Sequence, residues 1–210
     1  MTNYKLILNS KNNLHFYDIK YPDLQFYQGS FSFITGKSGC GKSTYLKLLN
    51  GLIIADKNTI FFHDMPLEDH EILAYRRKVL LIPQNVYLIK GNIKENFYFY
   101  YENRGQTCID EDKMKMYLDI CCIDKPLEEN CDHLSGGERQ RIFLAIFLSL
   151  AQEIILLDEP TAALDEKTSN DLMIKLKAFI QQHQLTAICV SHNQALVNKF
   201  ADKIIRLGEE

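Results

Sequence analysis

The sequence lacks a long hydrophobic run and has no excess of positive charge. Its longest apolar stretch, residues 142–151, is about half of the roughly 20 residues that a helix needs to cross a bilayer. No basic and apolar leader opens the chain, so we expect no secretion signal. The formal net charge is −3, which gives no electrostatic footprint for nucleic acid or for an anionic membrane surface. We therefore expect no nucleic-acid partner, and any role at a membrane requires a partner that spans it.

The chain also lacks metal-like cysteine spacing, internal repeats, low-complexity tracts and flexible linkers. Its six cysteines are scattered, and the adjacent pair Cys121-Cys122 suits neither a zinc ribbon nor a secreted disulfide framework. These cysteines are therefore expected to be reduced cytosolic thiols. With 210 residues the chain is long enough for one well-buried domain, so a single continuous domain over residues 1–210 is predicted.

The hydrophobic pattern predicts an α/β fold. The run 154–157 is apolar at every position, which is typical of a central parallel strand that is covered on both faces, and 187–190 repeats the pattern. Further strands are expected at 4–8, 14–19 and 30–34, and helices at 44–50, 139–150 and 171–182. Residues 92–122 are expected to form a mainly helical insert.

A phosphate loop lies between the predicted strand 30–34 and the predicted helix 44–50. Its glycines let backbone N–H groups point inward at phosphate oxygens, and the helix adds its positive end. Lys42 would bridge the β- and γ-phosphates, and the Ser43 hydroxyl would ligate Mg²⁺. The motif consists of Gly36, Lys37, Ser38, Gly39, Cys40, Gly41, Lys42, Ser43 and Thr44.

Two carboxylates follow the apolar strand 154–157. Asp158 would orient Mg²⁺ through its water shell, and Glu159 could polarise the attacking water as a general base. A solvated acidic turn before Pro160 is the alternative for this pair, and the phosphate loop earlier in the chain argues against it.

The segment 134–140, Leu-Ser-Gly-Gly-Glu-Arg-Gln, completes a set of three ordered motifs. Ser135, Gly136 and Gly137 open an apolar helix and present a hydroxyl and N–H groups, which makes a second anion site. With the phosphate loop and the acidic strand, this segment closely resembles the signature of the ABC (ATP-binding cassette) ATPase family. In that family the signature faces the nucleotide of another subunit.

Three further positions match the family in order and spacing. Gln84 resembles the glutamine that contacts Mg²⁺ or the lytic water, and 163–165 resembles the loop that crosses the dimer interface. His192, after the strand 187–190, resembles the histidine that contacts the γ-phosphate. The resemblance therefore implies catalytic roles for Glu159, His192 and Gln84.

The chain departs from the family at two places. The aromatic residue that usually stacks on adenine is missing, since residues 9–11 are Asn-Ser-Lys, and Asn58 replaces a common turn glycine. Asparagine tolerates left-handed backbone, so that turn is expected to survive. The candidates that could replace the aromatic residue are Tyr4, His15, Phe16 and Tyr17.

The resemblance implies a RecA-like P-loop NTPase core with an antiparallel β-subdomain and an inserted helical subdomain at about residues 86–134. It also implies that two ATP molecules and Mg²⁺ lie between two subunits, each ATP touching Lys42 of one and Ser135 of the other. The implied function is ATP hydrolysis that drives transport through a transmembrane permease subunit. This places the chain in the cytoplasm, peripheral on the inner face of the cell membrane.

Two other functions remain open. A soluble ABC ATPase for cofactor assembly is one, because nothing in a single cassette excludes it. Ribosome-acting members usually carry two cassettes and chromosome-organising members carry long coiled coils, and the sequence shows neither. The other is a catalytically silent binding module, against which Lys42 and Glu159 both argue.

Residues 92–96, which come shortly after Gln84 along the chain, resemble a segment that is frequent in exporter-type subunits.

Overall fold

The computed structural model describes residues 5–208, which divide into two compact units. The first unit comprises the residues up to 82, then 151–159, then those from 180 onward. The second unit comprises residues 83–150 and 160–179. Tyr4, the predicted start of the first strand and a candidate for stacking on adenine, lies outside the described residues.

The described residues begin with five strands, and helices and strands are interspersed after them, with three successive helices near the middle of the chain. The strands are β1 (Leu6–Ser10), β2 (His15–Phe16), β3 (Ile19–Lys20), β4 (Leu24–Tyr27), β5 (Phe31–Gly36), β6 (Ile60–Phe62), β7 (Met65–Pro66), β8 (Val79–Ile82), β9 (Ile154–Asp158), β10 (Thr186–Val190) and β11 (Lys203–Leu207). The helices are α1 (Lys42–Leu49), α2 (Ile72–Lys78), α3 (Ile93–Glu102), α4 (Glu111–Ile120), α5 (Gly136–Ser149), α6 (Glu166–Gln182) and α7 (Gln194–Phe200). Short 3₁₀ turns occur at Leu67–Asp69 and Cys131–His133.

The core of the first unit is a parallel sheet in the order β11-β5-β10-β9-β8. Every residue of β9 and β10 is buried, as expected for central parallel strands. Helix α1 packs on this sheet through its apolar face, with Leu46 and Leu49 fully buried. The predicted α/β fold with a parallel sheet is confirmed.

A second sheet in the same unit is antiparallel, in the order β4-β1-β6-β7. Leu8 of β1 lies between Phe26 of β4 and Phe62 of β6, and all three side chains are buried. Such a row of cross-strand apolar neighbours fixes the register of a sheet. The β-rich character expected for the first third of the chain is confirmed.

The prediction of one strand over residues 14–19 is wrong. The chain forms the two-residue strands β2 and β3, which pair His15 with Lys20 and Phe16 with Ile19. Tyr17 between them has φ of 50°, a left-handed conformation that reverses the chain. Strand β4 was not predicted. The left-handed turn expected at Asn58 is confirmed, since its φ is 58°.

Helices α5 and α6 begin earlier than their apolar patterns predict. Helix α5 begins at Gly136 rather than residue 139, and α6 begins at Glu166 rather than residue 171. In both cases the first turn is polar and is stabilised by a preceding side chain. The Asp165 carboxylate, for example, accepts from the Thr168 N–H at 2.9 Å.

The second unit is helical. Helices α3, α4 and α5 pack on one another, with Phe97, Met114, Leu118 and Ile142 buried at 0–1% exposure. Helices α3 and α4 confirm the mainly helical character predicted for residues 92–122. Within residues 5–208, the helices are all too short or too polar to cross a bilayer.

Candidate functional site

Three parallel strands bring the candidate residues of the first unit to one edge of the sheet. Strand β10 lies between β5 and β9, with Val190 paired to both Ile34 and Asp158. The phosphate loop follows β5, Asp158 and Glu159 stand at the end of β9, and His192 follows β10. The carboxyl ends of parallel strands are where α/β sheets bind their ligands.

Lys42 turns its side chain into the phosphate loop. Its Nζ donates to the carbonyl oxygen of Gly36 at 3.0 Å and to that of Lys37 at 2.9 Å. Only 6% of the residue is exposed. The ammonium is therefore held on the inner side of the loop, where positive charge attracts phosphate oxygens.

Ser43 and Asp158 form an oxygen pair beside the loop. The Ser43 hydroxyl donates to Asp158 Oδ1 at 2.9 Å. Burial raises the pKa of the Asp158 carboxyl, the Ser43 hydrogen bond opposes that rise, and Glu159 adds to it. Hydroxyl and carboxylate oxygens are ligands that suit a hard divalent cation, and these two lie at hydrogen-bond distance from each other, so the residues fit Mg²⁺.

Glu159 and His192 meet at the same edge. His192 Nε2 lies 2.9 Å from Glu159 Oε1, so the imidazole N–H donates to the carboxylate. The Glu159 backbone is left-handed with φ of 51°, and its N–H donates to the Val190 carbonyl at 3.1 Å. Non-glycine residues in this conformation are concentrated at functional sites, because the surrounding structure must hold them there.

Cys40 lies partly buried within the phosphate loop and packs against the hydrophobic core of the first unit. Its sulfur is 4.0 Å from Lys42 Nζ. A cysteine at this position can act as a reactive thiol or as a small packed side chain. The packing is clear, and the nearby ammonium is the feature that a reactive thiol would also need.

The signature residues lie in the second unit, at the start of α5. Ser135 caps the helix: its hydroxyl donates to the Glu138 carboxylate at 2.8 Å and accepts from the Glu138 N–H at 3.3 Å. Lys125 lies 3.3 Å from the same carboxylate. The Ser135 hydroxyl, which the sequence predicts as part of an anion site, is thus engaged in a capping box.

An open cleft of about 620 Å³ lies at these residues. A Cβ at Gly137 would come within 3.0 Å of Leu164 and 3.1 Å of the Ala163 carbonyl, so glycine permits a close approach of the two segments. The cleft is lined by Ser135, Gly136, Gly137, Glu138, Arg141, Ala163, Leu164, Asp165 and Thr168. The signature and the segment 163–165, which were predicted separately, share this cleft.

Gln84 and Tyr17, one of the candidates for stacking on adenine, are exposed to solvent. Gln84 lies two residues after the end of β8, belongs to the second unit and is exposed. In the hairpin of β2 and β3, Tyr17 is 85% exposed and its ring meets that of Phe16 edge-on at 4.6 Å. Tyr21 was not predicted as a site residue: its hydroxyl donates to the carbonyl of Gly41 at 3.1 Å, and no sequence motif signals this contact.

Comparisons with known proteins identify the family of this chain. A family model described as ABC transporter matches residues 19–162. The probable iron export ATP-binding protein FetA of Escherichia coli is 32% identical over 183 residues, covering 85% of this chain and 79% of that protein. The phosphonates import ATP-binding protein PhnC of Lactobacillus delbrueckii subsp. bulgaricus is 32% identical over 223 residues, covering 97% and 87%.

A solved structure gives the same result for the fold. The dimeric post-hydrolysis state of the ATP-binding cassette MJ0796, bound to ADP and Pi, superposes with a TM-score of 0.83 and 25% identity. The superposition covers 96% of this chain and 94% of that one. The chain therefore belongs to the ABC transporter family, as an ATP-binding and ATP-hydrolysing subunit.

Proposed function

We propose that this chain is the Mg²⁺-dependent ATPase subunit of a membrane transporter, acting as a dimer that closes around two ATP molecules. One observation carries the proposal: at a single sheet edge the phosphate loop, the Ser43–Asp158 pair and the Glu159–His192 pair occur together. Residues 1–210 would form one ABC ATPase domain, with a helical subdomain at about 86–134.

The phosphate loop would hold the nucleotide. Inward N–H groups and the N-terminus of α1 attract phosphate oxygens, and within the described residues no side chain caps that terminus. Lys42 would exchange its bonds to loop carbonyls for bonds to the β- and γ-phosphates.

Ser43 and Asp158 would hold Mg²⁺, which when bound neutralises phosphate charge. For Gln84, a contact with Mg²⁺ is what the family resemblance implies. Because the Ser43 hydroxyl and the Asp158 carboxylate are already adjacent, both oxygens can serve one cation with little rearrangement. Burial raises the pKa of Asp158, and the positive charge of a bound cation would lower it again.

Glu159 would act as the general base. Its carboxylate would accept a proton from the attacking water, whose oxygen then bonds to the γ-phosphorus as the bond to ADP breaks. His192 holds the Glu159 carboxylate through its Nε2 contact and would turn to the γ-phosphate during turnover. The contact links the base to the group that senses the terminal phosphate.

The dimer would complete each site across its interface. The cleft at Ser135, Gly136 and Gly137 presents helix N–H groups, and it would receive the γ-phosphate held by Lys42 of the second copy. Phosphate binding there would compete with Glu138 for the Ser135 hydroxyl. Closure then depends on ATP, and hydrolysis reopens the dimer.

A transmembrane permease would receive this motion on the second unit near Gln84. Tyr87, three residues further along the chain, is 62% exposed, and Tyr98 of α3 is 48% exposed. Exposed aromatic side chains are enriched at protein interfaces. Docking there would place the subunit in the cytoplasm, peripheral on the inner face of the cell membrane.

Two measurements test the proposal. ATP hydrolysis by the purified chain should require Mg²⁺ and should be lost in Lys42→Ala. Purification of the tagged chain from membranes in mild detergent should recover a membrane-spanning protein whose presence changes the ATPase rate. Hydrolysis that persists in EDTA would contradict the Mg²⁺ assignment, and the absence of any such partner would contradict the transport function.

A further inference from the structure

The peptide bond between Gly41 and Lys42 is held from outside the phosphate loop. The Gly41 carbonyl oxygen accepts from the backbone N–H of Tyr45 at 2.8 Å, which is the first bond of helix α1. It also accepts from the hydroxyl of Tyr21 at 3.1 Å. A carbonyl oxygen has two lone pairs, and both are therefore used here.

Tyr21 is itself fixed in place. Its backbone N–H donates to the Leu14 carbonyl at 2.8 Å, and only 4% of the residue is exposed. Its ring lies 5.0 Å from that of Tyr45 on α1. The hydroxyl therefore reaches the Gly41 carbonyl from a rigid position rather than from a mobile side chain.

The fit between Tyr21 and the loop is close. A Cβ placed on Gly41 would lie 2.6 Å from the Tyr21 hydroxyl and 3.0 Å from Ile19. Gly41 has φ of 92°, which favours glycine for a second reason. The β2–β3 hairpin and the residue that follows it thus support the outer side of the loop directly.

This contact has a consequence for the nucleotide side of the loop. A trans peptide is planar, and its C=O and N–H point in opposite directions. A hydroxyl that holds the Gly41 carbonyl on the outer side therefore directs the Lys42 N–H towards the inner side. We propose that Tyr21 is a positioning residue for nucleotide binding, which sets the orientation of the Gly41–Lys42 peptide. The proposal rests on the proposed role of the phosphate loop.

The Tyr21 hydroxyl remains a donor throughout the pH range of an ATPase assay. Burial, with a smaller contribution from Cys40, raises the pKa of Tyr21 to about 12. The contact is thus independent of pH near neutrality, and its removal should lower affinity equally at pH 6.5 and pH 8.5.

Tyr21→Phe tests the proposal, because it deletes the hydroxyl and keeps the ring. We expect the Kd for Mg·ATP to rise about 3- to 10-fold, the range that corresponds to one net hydrogen bond, with kcat at saturating ATP within about twofold of wild type. Isothermal calorimetry and steady-state ATPase kinetics supply the two values, and thermal unfolding shows whether the variant is folded.

Tyr45→Phe is the matched control. It also deletes one buried phenol hydroxyl, but that hydroxyl lies 2.7 Å from Ser10 Oγ and does not contact the loop. We expect this variant to lose stability and to keep its Kd. An equal rise of Kd in both variants, or a wild-type Kd in Tyr21→Phe, would overturn the proposal.

Lys42→Ala separates this proposal from the function on which it rests. If Lys42→Ala loses ATP binding and Tyr21→Phe binds as wild type does, the positioning role alone is wrong. If Lys42→Ala binds Mg·ATP as tightly as wild type, the role of the phosphate loop fails and the Tyr21 proposal fails with it.

Discussion

Replacement of Gly36 by alanine should destabilise the first unit by a predictable amount. The added Cβ would lie 2.2 Å from the Leu207 carbonyl oxygen and 2.9 Å from Cys40 Sγ. The Leu207 oxygen belongs to the backbone of β11, which pairs with Gly36 in the parallel sheet, so it cannot move without disturbing that pairing. Gly36 also has φ of 146°, a conformation that L-residues rarely adopt.

Both effects contribute to the expected magnitude. Backbone strain costs about 1–3 kcal/mol and overpacking adds about 1–3 kcal/mol, so Gly36→Ala should lose about 2–6 kcal/mol. Gly39→Ala is the control within the same loop. Its φ is 82°, but a Cβ there would meet nothing within 4 Å. Only the strain of about 1–3 kcal/mol should remain.

Thermal unfolding of the two variants measures the difference. In a chain of this size each kcal/mol shifts Tm by about 2–4 °C, so Gly36→Ala should melt about 2–12 °C below Gly39→Ala. Equal losses in the two variants would show that strain alone governs the loop. A larger loss in Gly39→Ala would refute the steric argument outright.

Three further predictions concern the chemistry. Glu159→Gln should still bind ATP but lower turnover about 10²- to 10⁴-fold, because the amide keeps the shape of the carboxylate and cannot accept the proton. Hydrolysis by this variant at the wild-type rate would contradict the general-base role of Glu159. Ser135→Arg should abolish the ATP-dependent dimer of the Glu159→Gln chain on size exclusion, because the arginine side chain fills the space for the γ-phosphate of the ATP held by the second copy. A dimer that persists would contradict the arrangement in which two ATP molecules lie between two subunits. Asp158→Asn should raise Tm at pH 7 while activity is lost. Folding raises the pKa of Asp158, so its ionised form destabilises the fold above the unfolded pKa, and this cost disappears in acid. An equal gain of Tm below the ordinary aspartate pKa of about 3.9 would contradict this cause.

The parts of the site that could be predicted from sequence are those that local chain geometry determines. The phosphate loop is contiguous, and its glycines and the following helix define its shape without help from distant residues. The motifs predicted that Ser43 and Asp158 serve the same Mg²⁺, and the structure brings their side chains to hydrogen-bond distance. The parallel sheet itself was indicated by two short runs without polar residues.

The parts that could not be predicted depend on packing between distant segments. Tyr21 reaches Gly41 only because a hairpin turns back at Tyr17, and that turn needs a left-handed tyrosine that no turn rule predicts. The bond between Ser135 and Glu138 is local by contrast, and a serine followed three residues later by a glutamate predicts it.

The polar groups of the site share one physical property: each already makes a hydrogen bond or an ion pair within the chain. Lys42 donates to loop carbonyls, Ser43 to Asp158, and His192 to Glu159. A nucleotide must compete with these bonds, so its affinity is the difference between the new contacts and those exchanged. When a bond within the chain is replaced by a similar bond to the nucleotide, the net change in the free energy of binding is small. A small net change suits a subunit that must bind ATP and release ADP in every cycle. Rigid contacts behind the loop, such as that of Tyr21, would not be exchanged, because they would face away from the phosphates. On the proposed function, the outer contacts would set the shape of the site and the inner contacts would set how readily it releases its product.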